Sequence, residues 1–135
     1  MNTFTPFYIL SGALSGFSAQ ENCDRTESLD RWLRAKSLAT VQVNGRYKSN
    51  RERSILVIDE RPDNDFCESA VMLLARQYDQ ESVLAVDANR QARLIYWDDG
   101  RFESVGQWRA VSAGEVTNKP DASYTERAGQ YYTVT

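Results

Sequence analysis

Tyr47 and Glu52 are the two side chains whose type and spacing most invite a chemical reading. Residues 38–47 alternate, with Ala39, Val41, Val43, Gly45 and Tyr47 on one face and Thr40, Gln42, Asn44 and Arg46 on the other, the pattern of a half-buried strand. Residues 54–58, Ser-Ile-Leu-Val-Ile, make a second, nearly all-apolar strand. The polar stretch 48–53 then reads as an exposed connection between two rigid strands, and such connections are where sites tend to sit. Tyr47 stands before it and Glu52 at its far end, so a phenol and a carboxylate could face one pocket. A strand-capping aromatic and a solvated glutamate is the plainer reading, and on pattern alone the stronger one.

The chain contains no histidine. That removes the commonest general base near neutral pH and the commonest metal ligand. Ser-His-Asp, Cys-His and zinc-hydrolase mechanisms in their usual forms are excluded, and chemistry falls to carboxylates, Tyr, Lys or the substrate's own groups. Other candidates are weaker. Asp98 and Asp99 read as turn formers, Asp87 as the residue shaping the turn after a strand, and Asp63 and Asp65 as a helix start. Trp32, Trp97 and Trp108 read as core or interface aromatics. Gly12 and Gly16 form no dinucleotide fingerprint. Cys23 and Cys67 lie far apart in no metal spacing, as expected of two reduced cysteines.

These side chains must be held by one domain, residues 1–135. The composition, 41% hydrophobic and 26% charged, is that of a globular protein. With a net charge of −3, no basic stripe for nucleic acid is expected. Residues 7–14 are apolar, but no Lys or Arg precedes Arg25, so a secretory leader is not expected. No segment approaches the ~20 apolar residues of a membrane helix. A cytoplasmic protein without a membrane partner is the resulting expectation.

The element pattern begins with a strand over 4–13 that is apolar at both parities, Phe7 and Ile9 against Tyr8 and Leu10, so both faces should be covered. A helix over 24–36 follows, capped by Asp24 with Glu27 three residues on, burying Leu29, Trp32 and Leu33. After the two strands described above, a second amphipathic helix runs from Phe66 to Tyr78. Strands are predicted at 82–86, 92–97 and 102–105, with a hairpin turn at Asp98-Asp99-Gly100. A loop at 118–121 and an edge strand at 131–134 complete the chain. The order β-α-β-β-α-β with extra C-terminal strands predicts an α+β, ferredoxin-like antiparallel sheet with two helices on one face. The other face would still need cover, and self-association is the simplest way to supply it.

The motifs also resemble a known family. Pro6-Phe7-Tyr8-Ile9-Leu10-Ser11, followed by Cys23-Asp24, is similar to the opening of the phage-encoded S-adenosylmethionine lyases of T7-like coliphages, formerly called hydrolases. The likeness continues in Val41-x-Val43-x-Gly45-x-Tyr47-Lys48, in Glu52-Arg53-Ser54-Ile55-Leu56-Val57, along 75–84, in Leu94-Ile95-Tyr96 and in the tail 124–134. It covers nearly the whole chain through short motifs. The resemblance implies release of methylthioadenosine and homoserine lactone without a cofactor or metal. It also implies a homotrimer with substrate held between subunits, and depletion of a host methyl donor that blunts restriction. Under it, the family's strand-end tyrosine falls on Tyr47 and its essential glutamate on Glu52. The connection between them is shorter here than in the coliphage members, and a second glutamate, Glu60, lies nearby in sequence. Ser11 and Asp87, at or near strand ends, are candidate substrate contacts.

The implied chemistry suits a chain without histidine. A sulfonium makes the thioether a good leaving group, and the substrate's carboxylate can close a five-membered lactone on its own γ-carbon. Well-oriented intramolecular attack gains roughly 7–11 kcal/mol. Tyr47 could pack against the sulfonium or donate a hydrogen bond, and Glu52 could hold the ribose hydroxyls or complement the cation. A hydrolase, with Glu52 as general base on water, and a non-catalytic nucleotide-binding or host-interaction module remain alternatives.

Overall fold

β1, Phe7–Leu10, has four consecutive buried side chains, and they go to two different cores. Tyr8 and Leu10 pack under two helices; Phe7 and Ile9 point the other way. The computed structural model describes residues 4–47, 50–119 and 123–135, with the backbone alone at Tyr47 and Asn50. β1 is followed by α1 (Ala19–Ala35), β2 (Ala39–Tyr47), β3 (Asn50–Ile58), α2 (Phe66–Gln77), β4 (Ser82–Val86), β5 (Gln91–Tyr96) and β6 (Phe102–Val111). A short α3 (Ala113–Thr117), β7 (Tyr124–Arg127) and β8 (Gln130–Val134) end the chain.

The strands close into one barrel in the order β1-β3-β2-β7-β8-β6-β5-β4, with β4 pairing back onto β1 and every pairing antiparallel. This corrects the ferredoxin-like expectation. The β-α-β-β-α-β element order is present, but the sheet is a closed eight-stranded barrel with three helices, not an open sheet with two helices on one face. The difference lies in the tail. β6 runs ten residues rather than four, and 124–127, polar in sequence, forms a strand. Ala128 and Gly129 both adopt positive φ and turn β7 tightly onto β8. β7 then takes the free edge of β2 and β8 takes that of β6, so the predicted edge strand is interior to the sheet.

Closure explains the second apolar face of β1. Phe7 and Ile9 meet Val86, Ala92 and Trp108 inside the barrel, joined by Leu56, Leu84, Tyr132 and Val134. That face needs no second copy, so the packing argument for self-association no longer applies. Trp108 is the hub: Phe7 meets it edge-on at 5.0 Å, and Tyr132 stacks on it at 5.0 Å. Each such pair adds about 0.5–1.5 kcal/mol beyond area burial.

Outside the barrel, α1 and α2 bury Leu29, Leu33, Val71 and Leu74 on Tyr8, Ile55 and Val57. α1 begins at Ala19 rather than Asp24, because Ser18 and Glu21 form the capping box. Its buried residues are Thr26, Leu29, Asp30 and Leu33, and Trp32 is 57% exposed, against expectation. Arg46, expected on a solvated face, is buried: it donates to the carbonyls of Val116 and Lys119, both at 2.6 Å, and lies over the Tyr124 ring. Those bonds hold α3 against the outer face of β2 and β7.

Most of the predicted 48–53 connection is strand. β3 begins at Asn50, which pairs with Tyr47, and Glu52 pairs with Gly45 within the ladder. Lys48 and Ser49, like Pro120 and Asp121 of the predicted 118–121 loop, lie outside the described residues. Both cysteines are free.

After β1 the chain presses on α1 at Gly12, where an added Cβ would come within 2.7–2.8 Å of the Arg25 and Thr26 backbone. Gly12→Ala is therefore expected to cost about 1–3 kcal/mol, as overpacking does, measured as a lowered urea midpoint. An unchanged midpoint would mean that this contact is not tight.

Candidate functional site

The filled interior ends partway along the barrel. Beyond Ile9, Leu84, Leu94, Val105, Trp108 and Tyr132 the interior positions turn small or polar, and a cavity of about 530 Å³ opens. Its polar wall comes from Ser11 after β1, Glu52 and Ser54 on β3, Gln80 to Ser82 at the start of β4, and Tyr124 and Thr125 on β7. The register accounts for this. Val41, Val43 and Gly45 face Leu56, Ser54 and Glu52 across the β2–β3 ladder, so one inward face grades from apolar to acidic over three steps.

Glu52 is the group that stands out. Burial pushes its carboxyl above the ordinary glutamate value. None of the described residues gives it a hydrogen bond or an ion pair. Every fully buried side-chain polar atom among the described residues is partnered, so the Glu52 oxygens are reached through the cavity. Glu81 supplies a second carboxylate to the wall, and the described lining residues include no Lys or Arg. Ser11 is buried; its hydroxyl donates to the Arg53 carbonyl at 3.0 Å and accepts from Ala13 N–H at 3.0 Å. It therefore joins the loop after β1 to the strand carrying Glu52.

Of the residues singled out in sequence, the structure brings Ser11 and Glu52 to one cavity. Tyr47 ends β2, two positions beyond the partner of Glu52, and its side chain lies outside those described. Asp87 does not line the cavity. It follows the far end of β4, where its carboxylate accepts from Asn89 and Gln91 N–H and shapes the turn into β5. Glu60 is exposed beyond the opposite end of β3 from Glu52. Sequence reasoning missed Glu81, Trp108, Tyr124 and Tyr132. Glu81 directly precedes β4, a signal as strong as the one that drew attention to Ser11. The others became visible only when the tail strands closed the barrel. Among the described residues no group of three or more acidic or cysteine side chains could hold a metal ion, and no helix is long and apolar enough to cross a membrane.

A carboxyl whose pKa is raised on folding weakens the fold once it must ionise. The folded state then binds the proton more tightly than the unfolded chain, so stability falls as pH rises from about the ordinary value of 4.5 through the raised one. Glu52→Gln should therefore melt higher than the parent at pH 7 to 8, with the gain vanishing near pH 4. A Tm difference independent of pH would show that Glu52 is not buried as a charge.

A comparison with curated proteins finds no match. A family model for the S-adenosylmethionine lyase family matches residues 8–135. The match runs from β1 to the last residue and takes in every strand of the barrel and all residues of the cavity wall. By this match, the chain belongs to the S-adenosylmethionine lyase family and is an enzyme acting on S-adenosylmethionine.

Proposed function

We propose that the barrel-mouth cavity binds S-adenosylmethionine and cleaves it to methylthioadenosine and L-homoserine lactone. The observation that carries this reading is the charge of the wall, two carboxylates and, among the described residues, no Lys or Arg. Carboxylates favour a sulfonium and an ammonium. Equally, none of the described wall residues carries a guanidinium or ammonium to pair with the substrate's carboxylate and blunt it as a nucleophile. The Trp108–Tyr132 floor offers aromatic faces to a purine or a cation. The volume lies in the roughly 300–1,000 Å³ range of small-molecule sites.

In the reacting step a carboxylate oxygen bonds to the γ-carbon, and the carbon–sulfur bond breaks with its electron pair leaving on sulfur. No proton moves, and two opposite charges disappear. Glu52 serves this step best on the ribose hydroxyls. A full anion against the sulfur would stabilise the starting cation more than the transition state. Tyr47 and Ser11 complete the proposed set, with Tyr47 beside the sulfonium; Asp87 contributes from outside the cavity.

Depletion of a methyl donor that restriction systems need, in the cytoplasm, is the proposed role and rests on the family resemblance. A homotrimer with sites between subunits rests on it too. Trp32 and Phe102, 57% and 66% exposed, are apolar surface that assembly would cover.

The raised Glu52 pKa also suits a general base on water, which would give homoserine directly. Heavy-oxygen water separates the two. A lyase yields unlabelled lactone, whose later opening labels only the carboxyl group; a hydrolase labels the γ-hydroxyl. We expect unlabelled lactone early in the reaction, and a fall of about 100-fold or more in kcat for Glu52→Gln. A labelled γ-hydroxyl would overturn the lyase step, and an unchanged rate would remove Glu52 from it.

A further inference from the structure

Two loops border the cavity mouth: the one leaving β1 at Ser11, and the one from the end of α2 into β4 that carries Gln80 and Glu81. They are far apart in sequence and no strand pairing joins them directly. Gln80 joins them directly, its Nε2 donating to the Ala13 carbonyl at 3.0 Å, and a second side chain clamps them from α1. Arg25, on α1, donates its Nε to the Gly12 carbonyl at 2.7 Å and an NH2 to the Tyr78 carbonyl at 2.7 Å. Its guanidinium lies over the Phe17 ring at 5.1 Å and the Tyr78 ring at 5.4 Å. Among the described residues it has no carboxylate partner, and its donors serve backbone position. The surroundings fix it further: Thr26 Oγ1 accepts from Gly12 N–H, and Ser28 and Tyr78 share a hydrogen bond of 2.6 Å.

We infer that Arg25 is a positioning residue that sets the gap between these two loops, and through it the width of the cavity. This rests on the cavity being the substrate site. A planar fork with donors fixed relative to one another spans two carbonyls that a lysine ammonium cannot reach together. The kinetic consequence follows from an intramolecular reaction. With the gap fixed, the wall keeps the substrate folded onto itself. With the gap loose, substrate still binds, but more of it lies extended and unreactive. Losing the clamp should lower kcat rather than raise KM.

The experiment measures kcat and KM for S-adenosylmethionine in four variants of the full chain. Arg25→Ala and Arg25→Lys should both lose about tenfold or more in kcat, with KM within about threefold. Phe17→Ala removes one flanking ring from an exposed site where folding is not at stake, and should show a smaller loss of the same kind. Ile95→Val trims the core under the helices from β5, lowers Tm and lies in neither loop, so its kcat and KM should match the parent. The inference is overturned if Arg25→Lys retains parental kcat, if the loss appears in KM alone, or if Ile95→Val loses kcat in step with its Tm. An inactive parent would instead defeat the reading of the cavity as a substrate site.

Discussion

Three rings, Phe7 against Trp108 against Tyr132, join the first strand, the sixth and the last. The ladders close the sheet, with β4 paired back onto β1, and the rings join strands across the interior that no ladder connects, since β1 and β8 are not neighbours. An eight-stranded barrel has an interior just wide enough to be filled by side chains or to hold one small ligand. This one does both. Aromatic and branched residues pack one part, and where the inward positions become Gly45, Ser54, Ser11 and Ser82 the same barrel is hollow. The cavity is thus the barrel where its inward side chains are small.

Against that frame the placement of Glu52 costs stability. Other buried polar groups have evident partners. Asp30 accepts from Thr40 and Arg34, Asp59 accepts from Arg61 N–H, and Thr26 accepts from Gly12 N–H. Glu52 faces the hollow end with no partner among the described residues, and packing does not explain why a carboxyl should be there. A carboxyl held partly out of water for an incoming ligand does.

Much of the scaffold was legible in sequence, because the first part of the chain is periodic. α2, β4 and β5 fall within a residue or so of where spacing puts them. The capping error on α1 arose because both Ser18-x-x-Glu21 and Asp24-x-x-Glu27 satisfy the same rule; in the structure Ser18 and Glu21 make the box, while Asp24 accepts from Gln20 within the helix. The barrel was not legible, since Tyr124-Thr125-Glu126-Arg127 is polar and owes its strand to pairing with β2 and β8. Hence the covered face of β1 was assigned to a second copy rather than to the chain's own tail. For the site, the position of Glu52 before an apolar strand and of Ser11 after one could be read locally. Trp108, Tyr124 and Tyr132 could not, because their inward or bordering positions exist only once the ends of the barrel meet.

A chain without histidine can serve a reaction of this kind because of what the reaction does with charge. Carboxylate and sulfonium start as opposite ions and end as an ester and a thioether. Water solvates the two ions well and so resists their meeting, whereas a cavity floored by Trp108, Leu84 and Val105 gives the separated ions less solvation. The transition state, with its charges partly cancelled, loses less on leaving water than the substrate does. No general base is needed to make the nucleophile and no acid to release the leaving group. What the protein must supply is a dry floor, a wall of suitable charge and a fixed width. The first comes from the aromatic rings, the second from Glu52 and Glu81, and the third from the side chains that hold the two mouth loops to α1.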